Sequence, residues 1–331
     1  MKLNFPSLKK LQLSLVLAAF TITGAQAGKV AVDPAIKPYK PVSGVSGTLN
    51  SIGSDTLNNL MTLWAEGFKK QYPNVNVQIE GKGSATAPPA LIEGTAQLGP
   101  MSRSMKQDEL DKFEKKFGYK PTEVKVSIDA LAVFAHKDNP IKGLTLQQVD
   151  SIFSSTYKAG GKNIATWGDA GLKAWSGKAI SLYGRNSASG TYGFFKEHAL
   201  SKGDFKPSVK EQPGSSAVVQ GIAADEYAIG YSGIGYATPG VKAIPLAAKA
   251  GKTAAATQYS EATYENCLSG DYPMARFLSI YINKKPNQPL DKLTGEFLKF
   301  VVSKEGQEIV VKDGYFPVTP EIAAELTAAA K

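Results

Sequence analysis

From Gly47 onward, short apolar runs alternate with amphipathic runs of helical period, which is the pattern of an α/β chain. Residues 48–52 predict a first strand, and Leu57, Leu60, Met61, Trp64 and Phe68 then recur with the spacing of one buried helix face. Residues 75–79 alternate as a half-buried strand does. A short helix around 90–93, a strand at 96–98 and a charged helix over 107–117 follow. Residues 124–134 form a long apolar strand and 276–282 a second; between them 179–183 read as a strand and 192–200 as a helix. Helices over 290–302 and 305–312 close the chain. One long strand leaving and one returning predict an inserted lobe over 129–274, with a discontinuous first lobe built from 47–128 and 275–331. Residues 28–46, polar and carrying Pro34, Pro38 and Pro41, read as an extended N-terminal arm.

The first 27 residues have the form of an address. Lys2, Lys9 and Lys10 precede an apolar stretch over 11–22, and Ala25-Gln26-Ala27 has the small-x-small form of a cleavage site. The stretch is shorter than the roughly 20 apolar residues of a membrane span. The residue immediately after the cleavage point is Gly28, not a cysteine that could carry a lipid. Residues 1–27 are therefore expected to be a signal peptide cut after Ala27, giving a soluble product outside the cytoplasm. Its removal takes three lysines and no acids from a chain of formal net charge +9. The remaining excess favours anions in general, but the lysines lie scattered among acids rather than in a basic, aromatic-laced stripe, so no nucleic-acid partner is expected. Cys267 is the single cysteine and has no internal partner, so the fold must rest on its own core. It reads as a small buried apolar residue.

Four Gly/Ser/Thr clusters fall between a strand and a helix: Gly53-Ser54-Asp55-Thr56, Gly83-Ser84-Ala85-Thr86, Gly99-Pro100-Met101-Ser102-Arg103-Ser104, and Arg185-Asn186-Ser187-Ala188-Ser189-Gly190-Thr191. Taken singly, each reads as a helix cap; Ser104 and Gln107 have capping-box spacing. Taken together they point elsewhere, because ligands of open α/β sheets sit beyond the strand carboxyl ends, where helices begin. Helix N-termini present free N–H groups and a partial positive charge to an anion. Arg185 adds a permanent cation whose planar fork suits an oxyanion. Three clusters in one lobe and one in the other would converge on a cleft dense in donors, as a desolvated oxyanion requires.

Gly-Ser-Asp-Thr after the first strand, Gly-x-Gly-Ser after the second, Ser102-Arg103 after the third, and Arg-x-x-x-Ser-Gly-Thr together resemble the periplasmic phosphate-binding proteins of phosphate ABC transporters. Residues 128–133, 228–231 and 272–276 extend the resemblance, which runs from about Thr48 to the C-terminus. It implies a two-lobed periplasmic-binding-protein fold of type II, each lobe a mixed sheet flanked by helices, with the ligand in the interlobe cleft. It further implies that Ser54, Thr56, Ser84 and Ser102 bind phosphate from the first lobe, and Arg185, Ser189, Gly190 and Thr191 from the second. The partners implied are inorganic phosphate and a membrane permease; the protein is expected to be a monomer and not an enzyme.

Family members with a Gly-Ala-Ser-Asp turn after the third strand use its acid to accept a phosphate proton that sulfate lacks. Here the turn reads Pro100-Met101-Ser102-Arg103, leaving Asp129 and Asp55 as the acids near the cleft. Asp129, inside an apolar strand, needs a partner. It is expected to orient Arg185 or accept the phosphate proton, with a hinge salt bridge as the alternative. Asp55 reads as an acid favouring a helix N-terminus, Arg103 as a solvated first-turn residue with a second cation at the site as the alternative, and His198 as an exposed helix residue. Two histidines and one cysteine make no metal site, and no cofactor is expected. Trp167 and Trp175 read as packing residues of the second lobe. The alternatives to a transport protein are an exported phosphatase, disfavoured because Ser189 lacks a nucleophile elbow and a placed base, and a secreted adhesion or signalling protein that retains the anion-binding fold.

Overall fold

The structure, a computed structural model, describes residues 30–329. The proposed signal sequence and its cleavage point lie outside those residues. The first third of the described chain runs β1 (Gly47–Ile52), α1 (Asn58–Gln71), β2 (Val75–Glu80), α2 (Ala87–Glu93), β3 (Gly99–Met101), α3 (Gln107–Phe117) and then β4 (Thr122–His136). The middle third contains β5 (Leu144–Thr145), α4 (Leu146–Phe153), β6 (Ser181–Arg185), α5 (Gly190–His198), β7 (Lys210–Gln212), α6 (Ser215–Ala223), β8 (Ala228–Gly233), β9 (Val241–Ala243), β10 (Leu246–Ala247) and α7 (Tyr264–Ser269). The chain returns through β11 (Ala275–Ile282) and ends with α8 (Lys292–Val301), α9 (Lys304–Lys312) and α10 (Pro320–Ala329).

The α1 face forms as its spacing predicts. Leu57, Leu60, Met61, Trp64 and Phe68 are all fully buried, and Trp64 Nε1 donates to the Gly306 carbonyl at 2.8 Å. These side chains anchor one core, drawn from the segments around 36–126 and 278–326. A second core is drawn almost wholly from 128–274 and centres on Phe153, Phe195 and Tyr231. β4 and β11 connect them. Their antiparallel register pairs Ile282 with Thr122 at one end and Ala275 with Ala130 at the other. Together they carry a mixed sheet of order β3-β11-β4-β8-β6-β7, with β9 also on β4, past both cores. β4 is buried at every position from Val126 to Ala135, as a strand covered on both faces should be. β1 and β2 form a separate parallel pair.

The chain does not close with the helix expected over 305–312, since α10 follows it, and two local expectations shift. The third strand lies at Gly99–Met101 rather than at 96–98, where Leu98 makes only an isolated bridge with Ser51. Pro100 has no N–H to donate, and β3 is the end strand of its sheet, paired with β11, while the Pro100 carbonyl accepts the Ser54 N–H at 2.7 Å. At α3 the cap is Lys106 rather than Ser104. Glu109 accepts the Lys106 backbone N–H at 2.8 Å, while the Ser104 carbonyl takes Arg103.

Candidate anion-binding site

The four clusters meet. After β1, Ser54 caps a short 3-10 turn over Asp55–Leu57 that leads into α1; its hydroxyl accepts the Thr56 N–H at 3.2 Å. After β2, Gly83 and a second 3-10 turn (Ser84–Thr86) lead into α2. Gly83 sits at φ 122°, where a side chain is strained, and a Cβ there would lie 2.5 Å from the Ala188 carbonyl; its neighbour Ala85 donates to that carbonyl at 3.1 Å. The first-core loop is thereby locked to the loop before α5. Ser189 caps α5, with its hydroxyl accepting the Tyr192 N–H at 3.3 Å.

The hydroxyls form one buried network. Ser54 donates to Ser102 at 2.9 Å, Ser84 and Ser102 are 3.3 Å apart, and the Ser102 N–H reaches Ser84 Oγ at 3.1 Å. Thr56 Oγ1 and Thr191 Oγ1, one from each side, are 2.7 Å apart. Gly190 enters this cluster so closely that a Cβ would stand 2.2 Å from Ser84 Oγ and 2.6 Å from Ser102 Oγ. Ser54, Thr56, Ser84, Ser102, Asp129, Arg185, Ser189, Gly190 and Thr191 are all buried.

Arg185 ends β6, its own N–H held by the Tyr231 hydroxyl at 3.2 Å. One guanidinium nitrogen, Nη1, contacts Asp55 at 3.0 Å and Ser215 Oγ at 2.8 Å; Nη2 donates to the Pro213 carbonyl at 3.3 Å. Nε is buried without an acceptor among the described residues. A permanently charged N–H left in that state is costly, and the same guanidinium bonds Asp55 and Ser215, each at a helix start. The arrangement offers donors to an anion from both cores.

The acids are distributed differently from the expectation. Asp129 does not orient Arg185. Its partner is Arg276, the cross-strand neighbour on β11, which reaches Asp129 Oδ2 from Nε at 2.9 Å and from Nη2 at 2.8 Å; Asp129 Oδ1 accepts the Ile234 N–H at 2.9 Å. Both members are buried within two β-strands, so the register that aligns them satisfies a charge neither could carry alone. Asp55 is the acid that holds Arg185, and it also accepts the Ser215 N–H and hydroxyl at 2.8 and 2.9 Å. Arg103 is not solvated; it makes a bidentate pair with Glu109, both bonds 2.7 Å, and its stem lies against Gly193 of α5. His198 is half-buried on Phe194, ring centroids 4.1 Å apart, and burial pushes its pKa down. Trp167 and Trp175 pack edge to face in the second core as expected, and Cys267 is buried, its thiol pKa pushed up by desolvation.

Outside this shell, two tyrosines fix the first turn. Tyr236 donates to the Asp55 carbonyl and Tyr315 to the Thr56 carbonyl, each at 3.0 Å, and burial raises both phenol pKa values. No group of three His, Cys, Asp or Glu placed to hold a metal ion occurs among the described residues.

A family model described as "PBP superfamily domain" matches residues 39–305. The phosphate-binding protein PstS of Pseudomonas aeruginosa is 57% identical over 318 residues, covering 96% of this chain and 97% of that protein. The chain belongs to the phosphate-binding protein family. A more distant relative, the phosphate-binding protein PstS of Staphylococcus saprophyticus, is 29% identical over 83% of this chain and 81% of its own length. Among solved structures, one from Clostridium perfringens, assigned as a phosphate ABC transporter substrate-binding protein and holding bound phosphate, superposes with a TM-score of 0.68. It is 27% identical and matches 82% of this chain and all of that one. An ABC-type phosphate transport receptor from Vibrio cholerae shares the fold, with a TM-score of 0.63 at 22% identity over 82% of this chain and all of that one.

Against that family background, three residues of the site escaped the motif reading: Arg276, Ser215 and, as the partner of Arg185, Asp55. The signal for Arg276 was present. An aspartate in one apolar strand and an arginine in the returning apolar strand are complementary buried charges. Ser215 lies in Gly214-Ser215-Ser216, a fifth Gly/Ser turn that opens a helix, here α6.

Proposed function

We propose that this protein captures inorganic phosphate outside the cytoplasm, in the periplasm, and delivers it to the membrane permease of an ABC transporter, without chemistry of its own. The observation that carries the reading is the convergence of hydroxyls and helix starts from two cores, alongside a buried arginine, Arg185, whose Nε has no acceptor among the described residues. The names of the relatives agree with it.

In this reading residues 47–128 with 275–331 form one lobe and 129–274 the other, and β4 and β11 are the crossings about which they close. Phosphate takes Arg185 Nε, the hydroxyls of Ser54, Thr56, Ser84, Ser102, Ser189 and Thr191, and the N–H groups of Gly190 and Thr191 at the start of α5. Asp129 serves through Arg276 rather than by direct contact. Both candidate acids are occupied by arginines, so a proton on the bound phosphate goes to a serine or threonine hydroxyl, which can accept as well as donate. The residues before the described region act as a cleaved export signal.

Calorimetric titration of anion-stripped protein tests this. One-to-one phosphate binding at micromolar or tighter dissociation constant, about 8 kcal/mol or more, with little heat from sulfate, is the expected result. Equal binding of both anions, or of neither, overturns the phosphate assignment.

A further inference from the structure

Arg276 makes a set of contacts that no pairing with Asp129 requires. Its guanidinium is buried between the two cores and uses three faces. Nε and Nη2 hold Asp129; Nη1 donates to the Ser102 carbonyl at 2.7 Å; Nη2 donates to Thr191 Oγ1 at 3.0 Å. Ser102 belongs to the turn after β3, on the first-core side, and Thr191 to the first turn of α5, on the second-core side. A fourth contact places the guanidinium carbon 5.4 Å from the Phe194 ring centroid, one helical turn further along α5. One planar group on the returning strand therefore joins the anion-site loops of both sides.

The direction of these bonds matters as much as their number. An arginine cannot accept, so Thr191 Oγ1 is fixed as acceptor toward Arg276 and its own proton points away from that guanidinium; Thr56 Oγ1 stands 2.7 Å from Thr191 Oγ1, and either hydroxyl can donate across that pair. We propose that Arg276 is the positioning residue that couples anion capture to closure: it polarises Thr191 as a donor to the anion and ties the Ser102 turn to α5, so that the closed arrangement and the anion stabilise each other. This rests on the phosphate reading above. Asp129 is the fixed end of the device, held in turn by the Ile234 N–H. Arg276 need not touch phosphate to act.

Arg276→Lys tests it. Lysine keeps the charge opposite Asp129, so the buried pair survives, but one ammonium cannot serve Asp129, the Ser102 carbonyl and Thr191 in the fixed directions of a guanidinium. Phosphate affinity by calorimetry is expected to fall about tenfold or more, the loss of one to two bonds from a charged donor. In small-angle scattering, the contraction that saturating phosphate produces in the wild-type protein is expected to be smaller. Thr191→Val is expected to weaken binding several-fold in the wild-type protein and far less in the Arg276→Lys background, because the hydroxyl is then no longer polarised. If Arg276→Lys fails to fold, Asp129→Asn combined with Arg276→Gln removes both buried charges together and is put through the same three measurements. A variant with a lowered melting temperature but wild-type affinity and full contraction overturns the proposal, as do additive losses with Thr191→Val. Wild-type protein that does not bind phosphate at all fails the phosphate reading, and the coupling proposal falls with it.

Discussion

Gly190 is the position where the smallest change should cost most. A Cβ added there would sit 2.2 Å from Ser84 Oγ, 2.6 Å from Ser102 Oγ and 2.9 Å from Ser84 Cβ. Rotating the Ser84 hydroxyl away does not relieve the third contact, and it forfeits the 3.1 Å bond from the Ser102 N–H. The start of α5 must therefore move back by about 1 Å for Gly190→Ala to reach ordinary van der Waals separation. That shift stretches the Thr56–Thr191 and Arg276–Thr191 bonds, now 2.7 and 3.0 Å, and withdraws the α5 N–H groups from the first-core hydroxyls. Losing two bonds to a charged ligand, at about 1.5–3 kcal/mol each, amounts to about 3–6 kcal/mol. Phosphate affinity should fall at least a hundredfold by calorimetry. Overpacking should lower stability by only about 1–3 kcal/mol, so a thermal melt should still show a folded protein. Gly177→Ala is the control: its Cβ would meet nothing within 4 Å, and affinity should not change. Wild-type affinity in Gly190→Ala would refute the claim that α5 seats against Ser84 and Ser102 at van der Waals contact in the binding-competent state.

Arg185→Lys should weaken phosphate binding about tenfold or more while leaving a folded protein, because a point charge cannot keep Asp55, Ser215 and Pro213 and also present a fourth N–H to the anion; titration with phosphate checks it. Burial raises the Asp313 carboxyl pKa to about 6, opposed by its bond from Asn59. The folded state then binds more protons than the unfolded chain between about pH 4 and 6, so this group's contribution to stability falls as pH rises through that window. Asp313→Asn should melt higher than wild type at pH 7.5, by about 1 kcal/mol at most after solvent screening, and the gain should vanish below about pH 4 in a series of melts. The Cys267 thiol, buried and with its pKa pushed up, should resist a maleimide in the native protein and react on unfolding, as mass spectrometry would read.

Long, periodic elements were legible in the sequence for a simple reason: their burial repeats with the backbone. The α1 face and the full span of α3 follow from local spacing alone, and the apolar length of β4 announced a buried crossing strand. The turn residues Ser54, Thr56, Ser84, Ser102, Ser189, Gly190 and Thr191 were readable because cap chemistry is local, and the structure brings them together. What stayed hidden was pairing at long range. Nothing in the neighbourhood of position 55 encodes a contact with position 185, yet the Asp55–Arg185 bond exists because the turn that opens α1 faces the end of β6. For Asp129 the sequence indicates the need for a partner, and local reasoning points to Arg185; that the partner is Arg276 follows only from the β4–β11 register. The displacement of β3 turned on whether Pro100 could sit at a sheet edge, a property of the assembled sheet rather than of the segment.

The charge balance of the site explains why the chain's overall basic excess is a poor guide to its ligand. Each buried arginine has its own buried or half-buried aspartate: Arg185 with Asp55, Arg276 with Asp129. Two bare guanidiniums packed between the cores would each carry a desolvation cost of several kcal/mol, and the protein would be destabilised whenever the anion was absent. The aspartates remove that cost, but they do so without consuming every donor. Asp55 and Ser215 share Nη1 of Arg185, which leaves Nε; Asp129 takes one edge of Arg276, which leaves Nη1 and part of Nη2 for Ser102 and Thr191. On the proposed reading, the attraction for an anion comes from oriented N–H and O–H dipoles at fixed positions rather than from net charge. Dipoles so placed act over a few ångströms and reward only a ligand whose oxygens fall on them. On the site proposed above, selectivity would rest on hydrogen-bond direction, and affinity is expected to fall with one added methyl group at Gly190.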